Sequence, residues 1–328
     1  LEEGGAMSNI PITLACGDYD RTRPLWDGSV KAEGLDLTTI VLPVEEIFFR
    51  MSRFQEFAAS EFSLSTFMIT QARGTPRFVG IPAFPSRKFR HGDIFVRKGS
   101  KIQRPEDLRG GKIGLMEYQM TAAVWMRGLL EEFHGVKVSD VEWFTIQEER
   151  LKLALPPSIR VTIIPSNTNL FDLLRQGELD AIFTARTPPP FIRGEDWIVR
   201  LFPNFCEVEG NYFRKTGIFP IMHTVVLQAD IYEKYPWAAQ SLYKAFCQAK
   251  DKSLENLRNL GAPPVALPWF FYEIERTVAV MGQDFWPYGF HKNQATISKL
   301  IEYMKQQCLL PETFSPDMES LFARNTLA

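Results

Sequence analysis

Cysteine is scarce and scattered in this chain of 328 residues. Cys16, Cys206, Cys247 and Cys308 form no Cys-x-x-Cys pair and no zinc-ligand spacing, so they read as free thiols rather than a disulfide or zinc framework. Histidine is as sparse: His91, His134, His223 and His291 offer no close metal-binding pair. The residues call for no cofactor, and a divalent metal stays open because no His/Asp/Glu spacing demands one. Charge of one sign is lacking too. A formal net charge of -2 removes the basic footprint that binding a phosphate backbone needs, which excludes nucleic acid as the expected partner. No run of about 18 apolar residues occurs, so no membrane span is expected. The expectation is a soluble, cytoplasmic protein. Leu1–Ala6 read as an expression remnant before a natural start at Met7, with a strand following too closely for a signal peptide. Nothing repeats at a fixed period, and no segment is low in complexity.

What is present is an alternation of short apolar runs with longer amphipathic ones, the pattern of a mixed α/β fold. The length exceeds one ordinary hydrophobic core, which predicts two domains. Strands are predicted at Ile12–Ala15, Leu35–Val41, Phe57–Ser60, Phe78–Pro82, Asp93–Val96, Lys112–Leu115, Glu142–Thr145, Ala181–Thr184, Ile198–Leu201 and Thr224–Gln228. Helices are predicted at Val44–Gln55, Ser65–Ala72, Thr121–Phe133, Thr168–Gln176, Asp230–Leu257, Tyr272–Met281 and Asn293–Gln307. The glycine punctuation after Pro105 opens a new unit. The chain is expected to cross between lobes near Asp93–Val96 and to return near Pro220–Val225. Residues 8–95 with 225–328 then form one lobe, and 96–224 the other.

Several segments, in order along most of the chain, carry a resemblance. They are Ala15-Cys16-Gly17-Asp18-Tyr19-Asp20-Arg21-Thr22, Ser60-Glu61-Phe62-Ser63, Ser86-Arg87-Lys88-Phe89-Arg90-His91, Tyr118-Gln119-Met120-Thr121-Ala122 with Trp125-Met126-Arg127-Gly128, Gly177-Glu178-Leu179-Asp180-Ala181, and Pro220-Ile221-Met222-His223-Thr224. Together they resemble the two-lobed type II periplasmic-binding-protein fold and, within it, the 4,5-dihydroxyphthalate decarboxylase family. The Gly177–Ala181 run speaks for the scaffold alone, since a glycine ends a helix there before a strand enters the sheet.

In open α/β sheets ligands sit beyond the carboxyl ends of strands, which directs attention to the residues just after them. Asp18, Tyr19 and Arg21 follow the first strand; Glu61 and Ser63 follow the third. Arg87, Arg90 and His91 precede the crossing, Tyr118, Gln119 and Thr121 follow the Lys112 strand, Arg186 follows Ala181–Thr184, and His223 marks the return. Arg87, Arg90 and Arg186 are candidate clamps, because a planar guanidinium grips a carboxylate with two parallel hydrogen bonds. A solvated surface position is the alternative for each. His91 and His223 are the candidates for proton transfer near neutral pH, or else satisfied structural histidines. Glu61 and Asp18 either orient a histidine or accept a phenolic hydroxyl; a capping or ion-pair role stands beside these. Thr121 either caps its helix or helps that helix end bind an anion. His134 reads as a helix-terminal residue, and His291 lies outside the site.

The resemblance implies a small aromatic dicarboxylate as ligand, and the chemistry follows from where its groups lie. Each ring hydroxyl is para to one carboxylate, so removing the phenolic proton pushes electrons to the carbon bearing that carboxylate. An acid protonates that carbon, and carbon dioxide leaves. Lobe closure would dry the cleft. The departing carboxylate is expected to face a weakly charged wall, with Phe62, Tyr118 or Phe219 as candidates, because a firm grip would stabilise the ground state. A solute-binding protein for a small aromatic or carboxylate ligand of a transporter is the alternative. The late aromatic cluster Trp269, Phe270, Phe271, Trp286 and Tyr288 is either a homodimer contact or core.

Overall fold

A computed structural model describes residues 9–74, 77–258 and 261–327. Among the described residues eleven strands form two sheets: β1 (Ile10–Cys16), β2 (Leu35–Val41), β3 (Ala59–Ser63), β4 (Phe78–Arg87), β5 (Ile94–Arg97), β6 (Lys112–Leu115), β7 (Glu142–Thr145), β8 (Arg160–Ile163), β9 (Ala181–Phe183), β10 (Ile198–Arg200) and β11 (Ile221–Gln228). The first sheet has the order β2-β1-β3-β11-β4 and the second β10-β5-β9-β6-β7-β8. Strands β1, β2 and β3 run parallel, and β11 lies antiparallel between β3 and β4. In the second sheet β6 pairs in parallel with β7 and β9, while β5 is antiparallel to β9 and β10.

Strand β3, with a neighbour on each side, is covered on both faces. In β3 all five residues, Ala59-Ser60-Glu61-Phe62-Ser63, are buried. An acidic residue inside such a strand is costly unless it is fully hydrogen-bonded. Strand β4 reaches Arg87, five residues beyond the predicted Pro82. It lies at the sheet edge, where Pro82 and Pro85 break no ladder on the open side. The predicted helix Asp230–Leu257 is two helices, Ala229–Lys234 and Trp237–Arg258, because Pro236 cannot donate to the preceding turn. Strand β8, in a stretch flanked by prolines, and helix Phe205–Thr216 had not been predicted.

Helix Thr121–His134 is buried along most of its circumference, with Ala122, Ala123, Val124, Trp125, Met126, Leu129 and Leu130 all covered. It leaves the second sheet and packs on helix Phe290–Gln306. Gly128 permits the approach: a Cβ there would sit 2.1 Å from the Tyr303 ring. Trp125 Nε1 donates to the Ile221 carbonyl at 3.0 Å, and Arg127 Nε donates to Gln307 Oε1 at 2.7 Å. This seam ties the two α/β units together along one side and leaves a cavity on the other.

Candidate active site

The cavity measures about 570 Å³ and lies between the sheets, walled mainly by the segments that follow β1, β2, β3 and β9 and by the end of β4. Asp18, Tyr19, Ser63, Arg87, Arg90, Thr121, Arg186 and His223 line it. Glu61 lies directly behind this wall.

The centre of the site grows out of one irregularity in β11. Between β3 and β4 the strand shifts register on both sides of His223. Such a bulge re-aims a side chain. His223 lies opposite Ser63 and Val225 opposite Glu61, so His223 and Glu61 are diagonal neighbours on one face. His223 Nδ1 meets Glu61 Oε1 at 2.6 Å. The same oxygen accepts the Tyr19 hydroxyl at 3.0 Å, while Oε2 accepts the Gly17 N–H at 2.8 Å and the Cys16 thiol at 3.3 Å. Both carboxylate oxygens are therefore satisfied in a fully buried position. Burial by itself would raise the Glu61 carboxyl. The charge and hydrogen bond of His223, helped by Gly17 and Cys16, hold it below its ordinary value. Gly17 is required here because Tyr19 folds back over it, 2.7 Å from where a Cβ would stand. With Nδ1 committed to Glu61, Nε2 is the His223 nitrogen left for the cavity.

The cations differ in what already holds them. Arg87 is buried, donates to the Pro287 carbonyl at 3.1 Å and to Asn293 Oδ1, and stacks over Phe219. Among the described residues it makes no ion pair and its Nε has no acceptor, and burial pushes its guanidinium down to about 9. Arg90 bonds Asp93 at 2.8 Å and the Met222 sulfur at 3.1 Å. Arg186 is exposed and clasps Glu45 at 2.7 Å across the mouth. Asp18 pairs at the surface with Arg23 at 2.9 Å.

The remaining candidates lie elsewhere. Arg21 does not line the cavity; it is sandwiched between Tyr19 and Trp286, each ring centre 4.3 Å away, and its Nε donates to the Pro85 carbonyl. His91 lies in a short 3-10 turn, His91–Asp93, that aims its ring at Phe202 and Tyr212. It is buried away from the cavity, and desolvation pushes it down to about 4. Tyr118 is interior, its hydroxyl donating to the Gln307 carbonyl at 3.2 Å, and Gln119 is buried with its N–H on Glu149. Thr121 is the first residue of its helix, with Met120 in the capping position. The Thr121 hydroxyl joins Ser63 at 3.0 Å and Ser65 at 2.9 Å, bridging two helix starts. The apolar wall includes Val44, Phe48, Met120 and Met222 but none of Phe62, Tyr118 and Phe219.

Arg150, Glu45 and Phe48 also line the cavity and had not been singled out. Arg150 follows β7, so the strand-end rule would have reached it had the Gln147–Arg150 run been inspected. Among the described residues no group of three or more His, Cys, Asp and Glu is placed to hold a metal.

No family model matches the chain. The fold is that of the two-lobed type II periplasmic-binding proteins. It resembles the alkanesulfonate-binding protein SsuA from Xanthomonas axonopodis pv. citri bound to MOPS, with a TM-score of 0.53, 12% identity, and coverage of 98% of this chain and 99% of that one. It also resembles the desulfurization enzyme DSZB, with a TM-score of 0.51, 13% identity and 96% of each chain covered. In sequence the chain is 36% identical over 301 residues to the 4,5-dihydroxyphthalate decarboxylase of Comamonas testosteroni, spanning 90% of this chain and 91% of that protein. It is 40% identical over 214 residues to the 4,5-dihydroxyphthalate decarboxylase of Pseudomonas putida, which covers 63% of this chain and 83% of that protein. The chain belongs to the 4,5-dihydroxyphthalate decarboxylase family.

Proposed function

We propose that this protein removes one carboxylate, without oxidation, from a dihydroxylated aromatic dicarboxylate of the 4,5-dihydroxyphthalate type. The observation that carries the reading is the Glu61–His223 pair, a buried carboxylate holding a histidine whose second nitrogen is left for a cation-lined cavity. An imidazolium so held donates from Nε2 to the ring carbon that bears the departing carboxylate. The electrons for the new C–H bond come from the ring, pushed by the para oxygen as it loses its proton to solvent. The carbon–carboxylate bond then breaks, its electron pair restores the aromatic ring, carbon dioxide leaves, and the para oxygen is reprotonated. One proton is consumed overall, and solvent returns it to His223. Arg87, whose Nε has no acceptor among the described residues, holds the carboxylate that stays. The departing group faces Phe48, Met120 and Met222, where weak binding does not stabilise the ground state.

The two lobes in this reading are residues 8–95 with 225–328, and 96–224. The four unpaired cysteines accord with a reducing compartment, and we place the protein in the cytoplasm. Exposed Val265, Leu267, Trp269 and Tyr272 support a homodimer contact. The test is to supply 4,5-dihydroxyphthalate to the purified protein in deuterated water. Expected are carbon dioxide and 3,4-dihydroxybenzoate carrying one deuterium at the carbon that lost its carboxylate. Tight binding with no turnover would instead make the protein a carrier of such acids.

A further inference from the structure

Five cationic side chains line the cavity, and their partners sort them. Arg186 is held by Glu45, and Arg90 and Lys88 share the two oxygens of Asp93, each at 2.8 Å. Of these five, two keep a buried N–H with no acceptor among the described residues: Arg87 at Nε and Arg150 at Nη1. A buried donor left without a partner is uncommon and calls for an explanation, and at the wall of a cavity a ligand atom supplies one. The two arginines enter from different sheets, Arg87 at the end of β4 and Arg150 from the loop after β7. Phe48 connects Arg150 to the acid: its ring centre lies 4.8 Å from that of His223, and the Arg150 guanidinium carbon stands 5.2 Å from it.

Arg150 is held in place as closely as His223 is. Its Nη2 donates to Glu117 Oε1 at 2.8 Å. The adjacent Glu149 accepts the Tyr118 and Gln119 N–H groups at 2.5 and 2.9 Å, which pins the loop to the turn that carries Glu117. The pairing with Glu117 decides what Arg150 suits. An arginine already neutralised by a buried carboxylate is a weak partner for a full negative charge present before reaction. Its one unpartnered N–H is worth most to an oxygen whose charge develops during the reaction. Arg87, without a carboxylate, keeps its whole charge for a group that is anionic throughout.

We propose that Arg150 binds the ring oxygen para to the departing carboxylate, its Nη1 stabilising the negative charge that appears there when the hydroxyl ionises and returns there as the carbon–carboxylate bond breaks. This rests on the decarboxylase reading above. The two cationic anchors then differ in role, with Arg87 serving binding and Arg150 stabilising the ring oxyanion.

The division is testable with Arg150→Met, Arg150→Lys and Arg87→Met. Arg150→Met should lower kcat about 100-fold with KM within threefold, and Arg87→Met should raise KM more than tenfold. The reading specific to Arg150 is a carbon-13 NMR titration of bound 3,4-dihydroxybenzoate labelled at carbon 3, whose hydroxyl lies para to the vacated carbon. In the wild type this 3-hydroxyl should ionise at lower pH than in the free ligand. In Arg150→Met the midpoint should rise by about one pH unit or more. Arg150→Lys, which keeps the charge, should fall between and serves if the methionine variant does not fold. An unchanged midpoint, or a change in KM alone, would overturn the assignment. A wild type that shifts the bound hydroxyl through Arg150 yet releases no carbon dioxide would sink the decarboxylase reading while leaving the oxygen contact standing.

Discussion

Two histidines stand near the two crossings between the sheets, and the structure uses them in opposite ways. His223 lies on a bulged strand, paired with Glu61, at the cavity wall. His91 lies in a tight turn, walled by Phe202 and Tyr212, with Glu209 3.9 Å from its Nδ1 and no hydrogen bond to that nitrogen. Proximity to a crossing is thus not enough to make a site residue. Side-chain direction and a committed partner are what separate the two, and both come from backbone irregularities a few residues long.

The sharpest way to break this contrast is to remove each ring. His223→Ala should lower kcat by about 1000-fold while 3,4-dihydroxybenzoate binds within about tenfold, as measured by steady-state kinetics and calorimetry. His91→Asn should keep kcat within about threefold. Equal losses in the two variants would end the distinction. Glu61→Gln tests whether the partner matters as much as the ring: kcat should fall about 100-fold, because a neutral amide no longer stabilises the imidazolium.

A third comparison concerns packing at the seam. Gly128→Ala should cost about 1–3 kcal/mol in denaturant unfolding, since a methyl group would meet the Tyr303 ring; an unchanged midpoint would show that the helices can separate freely there. The smallest effect belongs to the His91 cluster. The buried His91 is pushed down from 6.5 to about 4, so the unfolded chain binds the extra proton between these values and stability falls as pH drops through that window. Glu209 is pushed up from 4.5 to about 7, chiefly by burial, so there the folded chain binds the extra proton and stability falls as pH rises from 4.5 to 7. The two contributions oppose each other. Glu209→Gln removes the second, and its unfolding free energy should drop between pH 6.5 and 5 by about 1 kcal/mol more than that of the wild type. Parallel curves would show that the two groups do not titrate as described.

Much of the scaffold was legible because it rests on local signals. The strand Leu35–Val41 and the helix ending before Gly177 follow from β-branched runs and a left-handed glycine, which depend on nearby residues alone. The misses share a cause of the opposite kind. Pro82 and Pro85 lie within β4 only because β4 is an edge, and which strand is an edge is settled by the whole sheet. In the site, Glu61 and Ser63 were reached as residues expected just after the third strand, and Arg87 and His223 from their nearness to the crossings; Glu61 and His223 instead lie within β3 and β11. Arg150 was passed over because a polar run after a strand looks the same whether it meets solvent or a cavity.

The sequence by itself determined the alternation of strands and helices, the likeness to a decarboxylase family, and the presence of acid, base and cation types in the right neighbourhoods. Only the tertiary structure decided which of them meet. Glu61 and His223 are separated by 162 positions and become partners through one antiparallel register and one bulge. Hydrogen bonds and charge pairs act over a few ångströms, and a linear chain carries no measure of that distance until its sheets are assembled.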